Sequence, residues 1–137
     1  MKWYQQTNFG ILLFRLLIGS AFVLHGFPKL AGGPERWAKV GAAMSHFGVH
    51  FAPELWGLCA ALAEFGGGLL LISGLLFRPA CVFLLFTMFV AAVKEYVTGS
   101  GNYLDFSYPA ELAAVLLAFF FIGPGKYTIL HFFCRKL

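Results

Sequence analysis

Charge is scarce in this sequence. Asp, Glu, Lys and Arg make up 12% of its 137 residues, about half of the roughly 25% carried by an ordinary soluble domain. Cysteine is scarcer still, and Cys59, Cys81 and Cys134 form no Cys-x-x-Cys. The chain therefore brings no thiol-redox motif of its own. Walker, Rossmann and nucleophile-elbow patterns are all lacking, which excludes the nucleotide and hydrolase chemistries they carry. The basic residues outnumber the acidic by 10 to 6, but they are scattered and not interleaved with aromatics. No nucleic-acid partner is expected from such a pattern. His46 and His50 are spaced like a metal pair but have no carboxylate or thiol at fixed spacing, so no metal is expected. Two-histidine haem ligation is excluded as well, because His25 alone lies within a long apolar run.

Apolar residues are abundant instead. They make up 60% of the chain, 17 of them are Phe, and the mean hydropathy is +0.79. A soluble domain of this size leaves too much surface exposed to hide that content. The partner implied is a lipid bilayer. Four apolar stretches, at about 10–28, 55–77, 79–98 and 108–123, approach the ~17–25 residues that cross a bilayer as a helix. Helices are required because hydrocarbon cannot satisfy bare backbone groups. The expected fold is all-α, a single four-transmembrane-helix bundle. The first stretch follows Lys2 as a signal peptide would, but Arg15 interrupts it and no clean cleavage site follows, so it reads as a retained helix.

Between the first two spans lie residues 31–54. Pro34 suits the first position of a helix, and Trp37, Val40, Met44 and Phe47 recur at helical spacing opposite Glu35, Arg36 and Lys39. The segment reads as a short interfacial helix, with a covering loop as the alternative. The second and third spans are expected to join in a tight turn at Phe77-Arg78-Pro79, and residues 99–107 to form a loop. Lys2, Arg78, Lys126, Arg135 and Lys136 lie on the side of the termini, against Lys29, Arg36, Lys39 and Lys94 on the other. The excess of one places the termini in the cytoplasm.

A charge at the centre of a membrane helix costs at least about 2.5–3.5 kcal/mol, so such residues face inward and find partners. Arg15, Phe22, His25 and Lys29 share one stripe of the first span, and Gly57, Glu64, Gly68 and Leu71 share one of the second. Glu64 falls near the bilayer centre, with Arg15 about 10 Å nearer the terminal side by helix rise. An Arg15–Glu64 pair is the expectation. His25, Lys29, Lys94, Glu95 and Glu111 fall near the opposite surface, as a polar cluster at the mouth of a cavity floored by Glu64. Each also has a structural reading. Glu111 would favour the first turn after Pro109, Lys94 and Glu95 would reach headgroups, His25 would bond a backbone carbonyl, and Arg15–Glu64 would fix helix packing.

Three stretches carry a family resemblance. RLLIGSAFVLHGFPKL (Arg15 to Leu30), AEFGGGLLLISGLLFRPA (Ala63 to Ala80) and YPAELAAVLLAFFFIGPGKYTI (Tyr108 to Ile129) resemble the DoxX family of small bacterial membrane proteins. The resemblance covers nearly the whole chain. Its most specific features are Arg…His-Gly-x-x-Lys in the first helix and Gly-Pro-Gly-Lys-Tyr after the last. It implies four transmembrane helices, the bacterial inner membrane and an association with oxidoreductases. Some members are described as membrane subunits of thiosulfate:quinone oxidoreductase, others as partners of enzymes handling superoxide or thiol stress. Arg15, His25, Lys29, Glu64 and Glu111 stand where the family keeps polar residues. Lys94-Glu95-Tyr96 stands where many relatives place a histidine, so no role of that histidine carries over.

Two functions follow as expectations. The first is an accessory subunit of a quinone-, thiol- or sulfur-linked oxidoreductase. It would have no intrinsic cofactor, a quinone among Phe side chains, Glu64 as proton relay, and electrons supplied by a soluble or membrane partner enzyme. Its ligand set would be Arg15, His25, Lys29, Glu64, Lys94, Glu95 and Glu111. The second is a non-catalytic binder of lipid or small molecules, or an assembly scaffold. The thin, glycine-rich second helix would suit contacts between copies in a homo-oligomer as well as within one chain.

Overall fold

The computed structural model describes residues 2–135, so Lys136 lies outside the described residues. Among the described residues six α-helices follow one another: α1 (Trp3–Ala31), α2 (Gly33–Gly41), α3 (Pro53–Ser73), α4 (Phe77–Thr98), α5 (Tyr103–Ile122) and α6 (Ile129–Cys134), with a 3-10 helix over Ala42–Phe47. Of these, α1, α3, α4 and α5 are long and apolar enough to cross a membrane. They form the expected four-helix bundle, with α2 between the first two spans.

Packing is sequential: α1 lies on α3, α3 on α4, α4 on α5, and α2 folds back onto α3. Glycine sets the close approach of α1 to α3. A Cβ on Gly19 would come within 2.8 Å of the Gly68 carbonyl, and one on Gly68 within 2.7 Å of the Gly19 carbonyl. The backbones of α1 and α3 thus touch directly, the small-residue packing that membrane helices use in place of a hydrophobic driving force. The core is built from one side of each span, by Phe22, Leu71, Phe77, Cys81, Leu84, Met88, Leu116 and Phe119. The opposite faces carry exposed Phe9, Leu17, Leu24, Leu69 and Phe121, apolar surface that a bilayer covers.

The linking segment is a helix rather than a loop. Glu35, Arg36 and Lys39 are exposed while Trp37, Val40 and Met44 turn toward the bundle. The Trp37 indole N–H donates to the Lys29 carbonyl at 3.0 Å and the Leu30 carbonyl at 3.3 Å. Those two groups belong to the last turn of α1, which has no partners within its own helix.

Three boundaries differ from expectation. The turn between α3 and α4 falls at Gly74–Leu76, not at Phe77-Arg78-Pro79. Gly74 (φ +73°) ends α3 in the left-handed conformation, where glycine carries no Cβ penalty. Pro79 then lies in the first turn of α4, where its missing N–H costs nothing. Second, α5 begins at Tyr103, so half of the expected loop is helix, and Pro109 lies inside α5 instead of at its start. Third, α1 begins well before residue 10.

Candidate functional site

Glu64 lies in the middle of α3 with its side chain 3% exposed, and both of its oxygens accept from Lys29 Nζ at 2.8 Å. The expected Arg15–Glu64 pair does not form. Gly26 of α1 packs against Glu64 and Phe65, and Gly19 against Gly68 and Ile72, so the two helices run antiparallel. Side chains lean toward the N-terminus of their own helix. Lys29 therefore leans back toward the level of Glu64, Glu64 leans toward Lys29, and Arg15 leans away from both.

Arg15 is nonetheless satisfied, entirely by backbone. Its Nε donates to the Leu71 carbonyl at 2.8 Å and Nη2 to the Ile72 carbonyl at 2.8 Å. Nη1 donates to the Pro124 and Tyr127 carbonyls at 2.8 and 2.7 Å. Leu71 and Ile72 belong to the last turn of α3, the negative end of its dipole. Pro124 and Tyr127 belong to the Gly-Pro-Gly-Lys-Tyr segment, which is how two distant motifs come to work as one. Arg15 is thus a clamp at the terminal end of the bundle, remote from Glu64.

Two cavities meet at the Lys29–Glu64 pair. The larger, about 380 Å³, lies between α2, the 3-10 helix, α3 and α4. Trp56, Phe83, Phe86 and Met44 are among its mainly apolar walls, with Lys94 and Glu95 at one end. The smaller, about 260 Å³, lies among α1, α3, α4 and α5 and includes His25, Glu95, Asp105 and Tyr108. His25 Nε2 and the Tyr108 hydroxyl are 3.0 Å apart, with either able to donate according to the imidazole tautomer. Lys94 and Glu95 pair loosely at 3.6 Å, both half exposed.

Of the predicted site residues, Lys29, Glu64 and Glu95 line both cavities, Lys94 the larger and His25 the smaller. Glu111 joins neither. It is exposed in the third turn of α5 and accepts from the Tyr103 hydroxyl at 3.1 Å, so the first-turn role foreseen for it is also absent. Sequence reasoning missed Trp56, Asp105 and Tyr108. Trp56, Ala60 and Glu64 succeed one another at i, i+4 and i+8 on one face of α3, a spacing that would have pointed to Trp56.

The Trp56 indole N–H is buried and finds no acceptor among the described residues. An unmade buried hydrogen bond costs about 1–3 kcal/mol. Trp56→Phe keeps most of the ring and removes the donor. Its melting temperature in detergent is expected to equal or exceed that of the parent. A clear drop would mean that the N–H has a bonding partner after all.

The DoxX family model matches residues 10–98, from α1 through α4, and so includes both members of the central ion pair. Over 129 residues the chain is 26% identical to Inner membrane protein YphA of Escherichia coli K12, covering 87% of this chain and 86% of the relative. Over 122 residues it is 30% identical to Inner membrane protein YqjF of the same organism, covering 88% of each. No solved structure matches the chain significantly.

Proposed function

The chain belongs to the DoxX family, and on that footing we propose that it is an inner-membrane protein that holds a quinone in the larger cavity as the membrane subunit of an oxidoreductase. The names of the two Escherichia coli relatives support the inner membrane. The excess of Lys and Arg, five (Lys2, Arg78, Lys126, Arg135 and Lys136) against four (Lys29, Arg36, Lys39 and Lys94), supports cytoplasmic termini. The observation that carries the quinone reading is an apolar, aromatic-walled cavity of about 380 Å³ that ends on a buried ion pair. Its volume lies within the range of small-molecule sites, and convergence of a few polar groups on apolar walls is their usual form.

The residues fit such a ligand. Phe83, Phe86 and Trp56 offer surfaces for a flat ring. Lys29 spends two N–H groups on Glu64, and an ammonium has three, so one is left for a carbonyl oxygen. Glu64 accepts from a hydroxyl and can take up or release a proton at its carboxylate. A bound quinone supplies two-electron chemistry coupled to two protons, with the electrons coming from the partner oxidoreductase.

The test is to extract and identify the small molecules retained by protein purified gently from its native membrane. Quinone in stoichiometric amount is expected, falling at least tenfold in Glu64→Gln while the variant elutes and melts as a folded protein. Bulk phospholipid alone would replace this reading with that of a lipid binder or scaffold.

A further inference from the structure

We propose that the smaller cavity is a water-filled entry by which protons reach Glu64 without passing through the larger cavity. The inference rests on the reading of Glu64 as a proton-exchanging group. Its basis is the partition of space around that residue. Both cavities include Lys29, Glu64, Ala91 and Glu95 in their linings, and beyond these shared residues the walls differ in their share of polar groups. On the larger side they are mainly aliphatic and aromatic. On the smaller side His25, Asp105 and Tyr108 stand among them.

A cavity of about 260 Å³ into whose lining His25, Glu95, Asp105 and Tyr108 enter has both things buried water needs, which are room at ~30 Å³ per molecule and polar partners. Its position points the same way. The last turns of α1 and α4 and the first turns of α5 all end at one membrane surface. Asp105, at that end, is fixed by the Ser100 N–H and hydroxyl, each 2.7 Å from its Oδ2. Carboxylates at a mouth raise the local concentration of cations, hydronium included. Inward from Asp105, the 3.0 Å contact between His25 and Tyr108 joins α1 to α5 by a pair in which either member donates. A proton taken from water at the mouth therefore has a polar path to the Glu64 carboxylate that does not cross the aromatic walls of the larger cavity.

Thiol accessibility tests this in nanodiscs, where both membrane faces meet water. In a Cys59→Ser, Cys134→Ser background, with Cys81 left in the buried core, Ala21→Cys and Leu112→Cys place single thiols on the smaller cavity. Leu24→Cys, one turn from Ala21 and 73% exposed on the outer face, is the lipid-facing control. A charged methanethiosulfonate is expected to react at both cavity positions at least ten times faster than at the control. Rates no faster than the control overturn the entry. Two positions are used so that one misfolded variant does not decide the result.

Binding of a decyl-tailed quinone is then measured before and after modification of Leu112→Cys. Affinity unchanged within twofold supports two separate spaces, and its loss on modification overturns that separation. Failure of the unmodified protein to bind the quinone removes the quinone reading, and the labelling rates still decide whether water reaches Glu64 by this route.

Discussion

Arg15→Leu is expected to melt far below the parent in detergent, with Arg15→Lys recovering less than half of the loss. The guanidinium is 1% exposed and makes four hydrogen bonds to carbonyls drawn from two other parts of the chain. Interhelical hydrogen bonds in membranes average about 0.6 kcal/mol each, so four set a floor of roughly 2.4 kcal/mol. The ceiling is higher because the variant strands several buried carbonyls at once, at about 1–3 kcal/mol each if none relaxes. An outcome of about 3–5 kcal/mol is the expectation. Lysine keeps the charge but not the planar fork, and one ammonium cannot reach the end of α3 and the Pro124–Tyr127 segment in the same geometry. Leu13→Ala, on an exposed face of the same helix, is the control. A melting temperature for Arg15→Leu within the range of that control would mean that the clamp holds nothing.

Arg15 also shows where the sequence was legible and where it was not. Four spans could be read because hydrocarbon leaves the backbone one solution, and hydropathy alone then locates the helices. The short helix after α1 could be read because Trp37, Val40 and Met44 repeat on one face. The pairing of charges needed more than stripes and depth. Arg15 and Lys29 share one face of α1, and depth alone leaves Arg15 about 10 Å from Glu64, within range of a long arm. What decides is the lean of side chains toward their own N-terminus, which on antiparallel helices brings Lys29 and Glu64 together and parts Arg15 from Glu64. That rule applies once the first two spans are known to be antiparallel, and the choice was therefore open to inference. The Pro124 and Tyr127 carbonyls were not, since backbone acceptors leave no mark on composition. Pro109 misled in a simpler way. Read as a helix start, it hid Asp105 within a supposed loop, and with it part of one wall of the smaller cavity.

The Lys29–Glu64 pair is expected to behave asymmetrically when taken apart. Lys29→Met leaves a carboxylate with almost no exposure, and removal of one member of a buried pair costs on the order of 3–5 kcal/mol. The lower end applies here, because Lys29 itself is 29% exposed and water already reaches the pair from that side. Glu64→Met leaves an ammonium on a flexible stem, close to the end of α1 and free to extend toward the surface. Its cost is expected to be about 1 kcal/mol or less. The double variant removes both charges and fills their space with apolar atoms, an exchange that is often neutral or better. It should melt nearer the parent than Lys29→Met does, giving a coupling of at least about 1 kcal/mol in the double-mutant cycle. Losses that simply add would mean the two residues stabilise the bundle independently. Equal losses in the two single variants would mean that Lys29 is as confined as Glu64. A coupled and asymmetric result has a further consequence for function. A carboxylate whose charge is held by one partly exposed lysine can be released when a ligand takes that lysine's hydrogen bonds, without any movement of the helices that carry the two residues.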